Sequence, residues 1–312
     1  DLLIDEINKF FSGESTKLLM TSTPNGLNHF WKTCKGAEEG TNGYEFTKVM
    51  WKRYTHLKSL EPGLDKEWVE DCAHHGVATY KGSKVTIKNV RDFTWSSDSK
   101  DRDPKWIDSE VDLDDIVDIW YVIDHFHKIK ALAHTMITFE FGDGQFISFS
   151  FETRREVGER YHPWTGLWRA YELYLLVATE RDALHLRTNA RKHKVHLYRV
   201  QTPPGKDKAL FNALCDRLNS LAEKPEWYHT FGKTCTTSIV DQVNLITPGR
   251  IPSMWRTLLP GHSAKAAWKL KLIEDWGGYE ATVAASRVDE RAVTWDGGEE
   301  YSRYIRAHLP PK

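Results

Sequence analysis

Three side chains carry the reactive chemistry of this sequence: Cys235, His134 and Glu152. Cys235 stands in the stretch FGKTCTTSIVDQV, Phe231 to Val243. Gly232 permits a tight turn, Thr234 is a helix-capping residue type, and the apolar stripe begins only at Ile239. This spacing predicts Cys235 in the first turn of a helix. There the unsatisfied backbone N–H groups and the helix dipole favour the thiolate and lower its pKa below the ordinary ~8.5. A thiolate nucleophile works with a base that takes and returns a proton and a third group that orients the base; a histidine and a carboxylate supply those roles. The same first-turn N–H groups suit the oxyanion that forms when a carbonyl is attacked.

The histidine and the carboxylate are brought together by a hairpin. Leu132 to Phe141 and Gln145 to Thr153 read as two strands around Gly142-Asp143-Gly144. With Phe141 facing Gln145, side chains alternate between two faces. One face carries Thr135, Ile137, Phe139 and Phe141 across from Phe151, Phe149, Ile147 and Gln145, and is expected to be core. The other carries His134, Met136, Thr138 and Glu140 across from Glu152, Ser150, Ser148 and Phe146. His134 then lies opposite Glu152, where Cβ atoms are about 4.5–5.5 Å apart, close enough for a carboxylate to orient an imidazole. A two-residue turn would place Thr153 there instead. Ser150 on the same face, Thr236 beside the cysteine and Arg154 at the strand end are the residues expected to contact substrate.

Further elements must support this pair. Lys206 to Leu221 is the clearest helix, with Phe211, Leu214, Leu218 and Leu221 as its apolar stripe and Pro225 beyond its end. Cys215 sits beside that stripe and reads as an inert core thiol. Thr236 to Asn244 is predicted helical with Ile239, Val240 and Val243 facing inward, and Tyr171 to Thr179 and Lys194 to Val200 read as strands. The fold class expected is α+β: an antiparallel sheet with a cysteine-bearing helix packed on it. A change of character at YKGSK, Tyr80 to Lys84, places a domain boundary there, giving segments 1–82 and 83–312.

Composition excludes several classes. The 312 residues are 40% hydrophobic and 28% charged, which fits a folded protein. With 43 basic and 44 acidic residues the net charge is -1, so a generally basic nucleic-acid binder is not expected. No apolar run approaches the ~18–20 residues that span a bilayer, and the first residues lack the basic and apolar regions of a signal peptide. The 4 cysteines are too few for a disulfide scaffold. Asp124-His125-Phe126-His127 puts two histidines on one strand face near His134, but no third ligand is evident at the right distance, so neither metal nor cofactor is expected. Arg154-Arg155, Arg181, Arg187 and Arg191 suit lipid phosphates, a carboxylate or surface ion pairs. Trp164, Trp168, Tyr171 and Tyr174 suit an acyl groove or a core.

Two resemblances add to this reading. SGESTKLLMTSTPNGLNHFWK (Ser12 to Lys32) and EPGLDKEWVED (Glu61 to Asp71) resemble part of a phage terminase large subunit, although no phosphate-cradling Gly-rich loop exists in the chain to make an ATPase. From about Val85 to Arg306 the chain resembles the Lnb N-terminal periplasmic domain family. The carrying stretches are VRDFTW (Val90 to Trp95), VDLDDI (Val111 to Ile116), AHTMITFEFGDGQFISFSFETRRE (Ala133 to Glu156) and GLWRAYELYLLVATERDALHLRTN (Gly166 to Asn189). VHLYRV, TCTTS around Cys235, LLPGHS (Leu258 to Ser263) and YSRYIRA (Tyr301 to Ala307) continue it in order. That family looks like a permuted relative of papain-like thiol enzymes, in which the His-bearing strand precedes the Cys-bearing helix. The resemblance implies Cys235 as nucleophile, His134 as base, a periplasmic or envelope location, and acyl transfer of the lipoprotein N-acylation type or a related hydrolysis. It also implies a lipid, lipoprotein or peptide substrate, with peripheral membrane contact. Lys233-Thr234 precede the cysteine where the family pattern leads one to expect Asn. A non-catalytic envelope binding module, or a terminase fragment without an intact ATPase, are the alternatives.

Overall fold

The Gly142-Asp143-Gly144 turn sets the centre of the structure, a computed structural model that describes residues 62–96, 101–159, 171–228, 234–252 and 260–312. Gly144 has φ +91°, a backbone conformation that glycine adopts without strain, and it lets Phe141 face Gln145 through a Phe141 N–H to Gln145 carbonyl bond of 3.0 Å. The flanking strands are β7 (His134–Phe141) and β8 (Phe146–Arg154), paired antiparallel with Ile137 opposite Phe149 and Phe139 opposite Ile147. This is the register expected for a three-residue turn.

The remaining strands extend that hairpin on both sides. They are β1 (Val77–Lys81), β2 (Lys84–Arg91), β5 (Trp106–Asp112), β6 (Ile116–His125), β9 (Glu172–Thr179) and β10 (Lys194–Arg199), while β3 (Thr94–Trp95) and β4 (Arg102–Asp103) form a separate small pair. Among the described residues the main sheet has eight strands in the order β1-β2-β9-β8-β7-β6-β10, with β5 paired to β2. All pairings are antiparallel except one short parallel contact, Arg91 with Ala178. With the helices this is the α+β class.

Both faces of the sheet are covered. On the apolar face lie α2 (Lys206–Glu223) and α3 (Cys235–Ile246), packed by their 3.6-residue stripes. Phe211 of α2 sits edge-on to Phe139, Phe141 and Phe149 at 4.9, 5.7 and 5.4 Å between ring centroids. That geometry places the positive ring edge on a neighbour's negative face. On the opposite face Trp120, Val122, Met136, Tyr174 and Leu176 are buried under α1 (Glu180–His185) and residues Val288, Ala292, Tyr301 and Ile305 near the C-terminus. Tyr171 and Tyr174 therefore belong to the core; Trp164 and Trp168 lie outside the described residues.

Buried charge pins the sheet edge to α1. Asp182 has no exposure and accepts hydrogen bonds from Arg91 Nε (2.7 Å), the Phe93 N–H (3.0 Å) and Trp95 Nε1 (2.6 Å). The VRDFTW stretch thus serves to satisfy one buried carboxylate.

The chain divides into two compact units, 1–60 and 61–312. The terminase-like stretch Ser12 to Lys32 and Cys34 lie outside the described residues. The boundary expected near 82 is corrected: Val77 to Lys81 pair with β2, and the YKGSK stretch is the tight turn of that hairpin, with Gly82 at φ +64°. Upstream of it Lys66 bridges Glu156 (2.7 Å) and Glu172 (2.5 Å), so this part belongs to the sheet's own unit. Polar turn chemistry looks the same in a hairpin as in a linker, which is why the sequence misplaced it.

Candidate active site

Cys235 is the first residue of α3. The helix starts there because Thr234 and Thr237 form a reciprocal capping box: Thr237 N–H donates to Thr234 Oγ1 (3.1 Å) and Thr234 N–H to Thr237 Oγ1 (2.7 Å). A hydrogen bond between Thr236 Oγ1 and Thr135 Oγ1 (3.1 Å) ties the first turn to β7. His134, the first residue of β7, lies near enough for its charge to act on the thiol and for the thiol to act on it. The thiol is 5% exposed.

The protons can be placed around His134. Its Nε2 is 2.7 Å from Ser150 Oγ and 3.2 Å from Glu152 Oε1. Ser150 in turn donates to Glu152 Oε1 at 2.8 Å. An ionised carboxylate only accepts, so the one hydroxyl proton of Ser150 points at Glu152, and Nε2 must carry a hydrogen that donates to Ser150. This leaves Nδ1 as the ring nitrogen outside the Ser150–Glu152 network.

Glu152 is fixed by a further cation. Arg187 Nη2 donates to Glu152 Oε1 at 2.8 Å, its Nη1 to the Ala183 carbonyl at 2.7 Å, and its Nε pairs with Asp124 Oδ2 at 3.2 Å. Asp124 also holds His193 Nδ1 at 2.9 Å. Arg187 projects from a π-helical turn, Leu186–Ala190, that follows α1 directly. Such a turn shifts a helix face by one residue and is often found at functional sites.

The charge states follow from this chain of contacts. Burial pushes the Cys235 thiol up, but the neighbouring His134 charge and hydrogen bonds from His134 and Thr135 outweigh it, and the thiol is pulled down to about 7. Burial pushes His134 down, but Glu152 and the sulfur of Cys235 raise it to about 10. Burial opposes ionisation of Glu152, yet His134, Arg187 and Ser150 hold its carboxyl well below the usual range. Between about pH 7 and about pH 10 these shifts favour a thiolate–imidazolium pair backed by a carboxylate.

The expected residues divide accordingly. Cys235, His134 and Glu152 come together. Ser150 is 1% exposed and links His134 to Glu152, so it is a positioning residue rather than a substrate contact. Thr236 is buried against Thr135 beside the sulfur. Arg154 does not face a substrate: it donates to the Cys72 (3.0 Å) and Ala73 (2.8 Å) carbonyls and stacks on Trp68 at 4.2 Å. Arg187, grouped above with surface arginines, is buried at 4% exposure. Asp124, read beside two histidines as a metal-type stretch, is instead paired to Arg187 and His193.

Two groups were missed. The Tyr121 hydroxyl donates to Ser263 Oγ at 2.8 Å and lies near enough to Cys235 that the sulfur's charge raises its own pKa beyond what burial does. Ser263 follows Gly261, whose N–H donates to the Ala131 carbonyl at 3.0 Å. A Cβ on Gly261 would stand 1.7 Å from the Lys130 carbonyl oxygen, so only glycine allows this approach just before β7. The LLPGHS stretch was the available signal, as a glycine two residues before a hydroxyl.

No solved structure matches the chain. A model of the family described as Lnb N-terminal periplasmic domain matches residues 102–261, about half of the chain and inclusive of Cys235, His134, Glu152 and Arg187.

Proposed function

The chain belongs to the Lnb N-terminal periplasmic domain family, and from that premise we propose that it is a cysteine-dependent acyl-transfer enzyme of the bacterial envelope. The observation that carries this reading is the place of Cys235, at a capped helix start packed on the strands that hold the His134–Ser150–Glu152–Arg187 chain, with the His134 charge pulling its thiol down. Among the described residues no helix is long and apolar enough to cross a membrane.

The Cys235 thiolate attacks the carbonyl carbon of an ester. The C–S bond forms, the carbonyl π pair moves to oxygen, and N–H groups at the start of α3 stabilise that oxyanion. Collapse breaks the C–O bond, and the departing alkoxide takes the proton from His134. An amine or water then gives a proton to His134 as it attacks the thioester, the C–S bond breaks, and the thiolate is restored. Ser150 and Arg187 hold Glu152, and Glu152 orients the imidazole and favours its charged form; proton transfer by a general acid–base group so placed is worth about 10²–10⁴ in rate. Transfer to the N-terminal amine of a lipoprotein is the version that the family resemblance favours.

Labelling with iodoacetamide or an acyl-fluorophosphonate at neutral pH tests the assignment. Wild type is expected to take a label at Cys235 beyond any taken by Cys34, and Cys235→Ala to take one label fewer. Equal labelling of the two proteins removes the nucleophile.

A further inference from the structure

An apolar, partly open cavity of about 200 Å³ runs along α3 from Thr236, the residue next to Cys235. Its walls are Ile239, Val240 and Val243 of α3, Ala266 and Ala267 of α4 (Ser263–Lys269), and Ile137 of β7. Thr236, Tyr121 and Ser263 line its near end, and Thr236 Oγ1 is 4.0 Å from the Cys235 sulfur. Lys206 and Arg250 border the far end, where their cations are tied to carbonyls: Lys206 to Ile246 (2.6 Å) and Arg250 to Leu270 (2.7 Å). From Thr236 to Ile246 the helix rises about 15 Å at 1.5 Å per residue.

Protein interiors hold few voids larger than a water molecule. An enclosed apolar cavity of about 150 Å³ takes benzene, so this partly open one has room for a larger hydrocarbon. Its walls are aliphatic, which disfavours a polar ligand whose hydrogen bonds would go unmade. Tyr121, Thr236 and Ser263 supply hydroxyls at the end nearer the sulfur, and Thr247, Lys206 and Arg250 supply polar groups at the other. The aliphatic wall between them, starting near the sulfur, suits an alkyl chain attached to an acyl carbon there.

We propose that this cavity binds the aliphatic tail of the acyl group carried on Cys235, so that α3 and α4 select acyl-chain length. The inference rests on the acyl-enzyme reading above and adds the class of acyl group and the residues that choose it. The carbonyl sits at the sulfur and the chain runs from Thr236 toward Ile246 between the two helices. Long chains are therefore transferred in preference to acetyl.

Two measurements on the full chain separate this proposal from the reading beneath it. The first titrates Cys235→Ala with a fluorescent fatty acid, cis-parinaric acid. Saturable binding is expected, weakened at least tenfold by adding Val240→Trp or Ala267→Leu, the second being mild enough to keep the fold if the first does not; circular dichroism checks each. The second compares p-nitrophenyl acetate and palmitate by the mass of the acyl adduct on otherwise wild-type protein. The palmitoyl-to-acetyl rate ratio is expected to fall at least tenfold in the filled variants, and Val243→Ala, which enlarges the cavity, is expected to raise it. Folded, filled variants with unchanged binding and unchanged ratio overturn the cavity assignment while leaving the acyl-enzyme intact. No adduct from either ester, with fatty-acid binding retained by Cys235→Ala, sinks the enzymatic reading and leaves a fatty-acid site.

Discussion

Cys215 and Cys235 are both buried, on neighbouring helices packed against one face of one sheet, yet their environments drive them in opposite directions. Cys215 lies inside α2 with no exposure, and burial pushes its thiol up to about 12. Cys235 opens α3, and despite the same burial penalty it is pulled down to about 7. The two differ in position along the helix and in partner. A helix interior has its N–H groups engaged, whereas a first turn presents them. Cys215 has the Tyr80 hydroxyl for company, and Cys235 has an imidazole held charged by Glu152. A lowered thiol pKa in this molecule thus goes with a cation at a helix start; burial alone pushes a thiol up, as it does for Cys72, to about 11.

The contrast can be broken most strongly at His134. With His134→Ala the Cys235 thiol keeps its burial and loses its cation, so it should come to resemble Cys215. Its alkylation rate at neutral pH is expected to fall at least about 50-fold, the thiolate lost when a pKa near 7 rises by about two units or more, and Cys235-dependent ester turnover by about 10²–10⁴. Timed mass spectrometry of the alkylated peptide reads the first, and a chromogenic ester the second. Arg187→Met acts one step further out. It leaves Asp124 and Glu152 without their shared cation, and urea unfolding is expected to show a loss of about 3–5 kcal/mol, the cost of stranding buried charge.

Glu152→Gln sharpens the comparison with less damage. The window in which thiolate and imidazolium coexist runs from about 7, where Cys235 gives up its proton, to about 10, where His134 does. Without the carboxylate, His134 is expected to fall back toward its ordinary 6.5, so the alkaline limb of the pH–rate profile moves to lower pH while Cys235 still labels. The smallest effect belongs to Cys215→Ala: about 1 kcal/mol of stability and no change in label uptake or turnover.

Much of the site could be read in the residues because it is local. The hairpin register follows from Gly142-Asp143-Gly144 and the period-two alternation around it. The place of Cys235 follows from Thr234 and the late start of the stripe at Ile239. What could not be read depends on tertiary neighbours. Arg187 and Asp124 are far apart in sequence, and a π-turn has no periodicity that would announce where an arginine will point. Tyr121 and Ser263 meet across 142 positions, and neither residue type signals the other. The polar face of the hairpin also proved buried, with Met136, Thr138 and Ser148 at 1% exposure or less. Alternation marks two faces but does not say that a second layer, built from the last thirty residues, covers one of them. Arg154 shows the converse: a charged residue in a strand reads as available, and it is occupied by two carbonyls.

The most direct test is the pH dependence of iodoacetamide alkylation, read cysteine by cysteine on the native chain. The account predicts that Cys235 reacts along a curve with its midpoint near 7, while Cys215 stays unlabelled across the same range. A Cys235 midpoint at 9 or above, or the two cysteines reacting together, would contradict it.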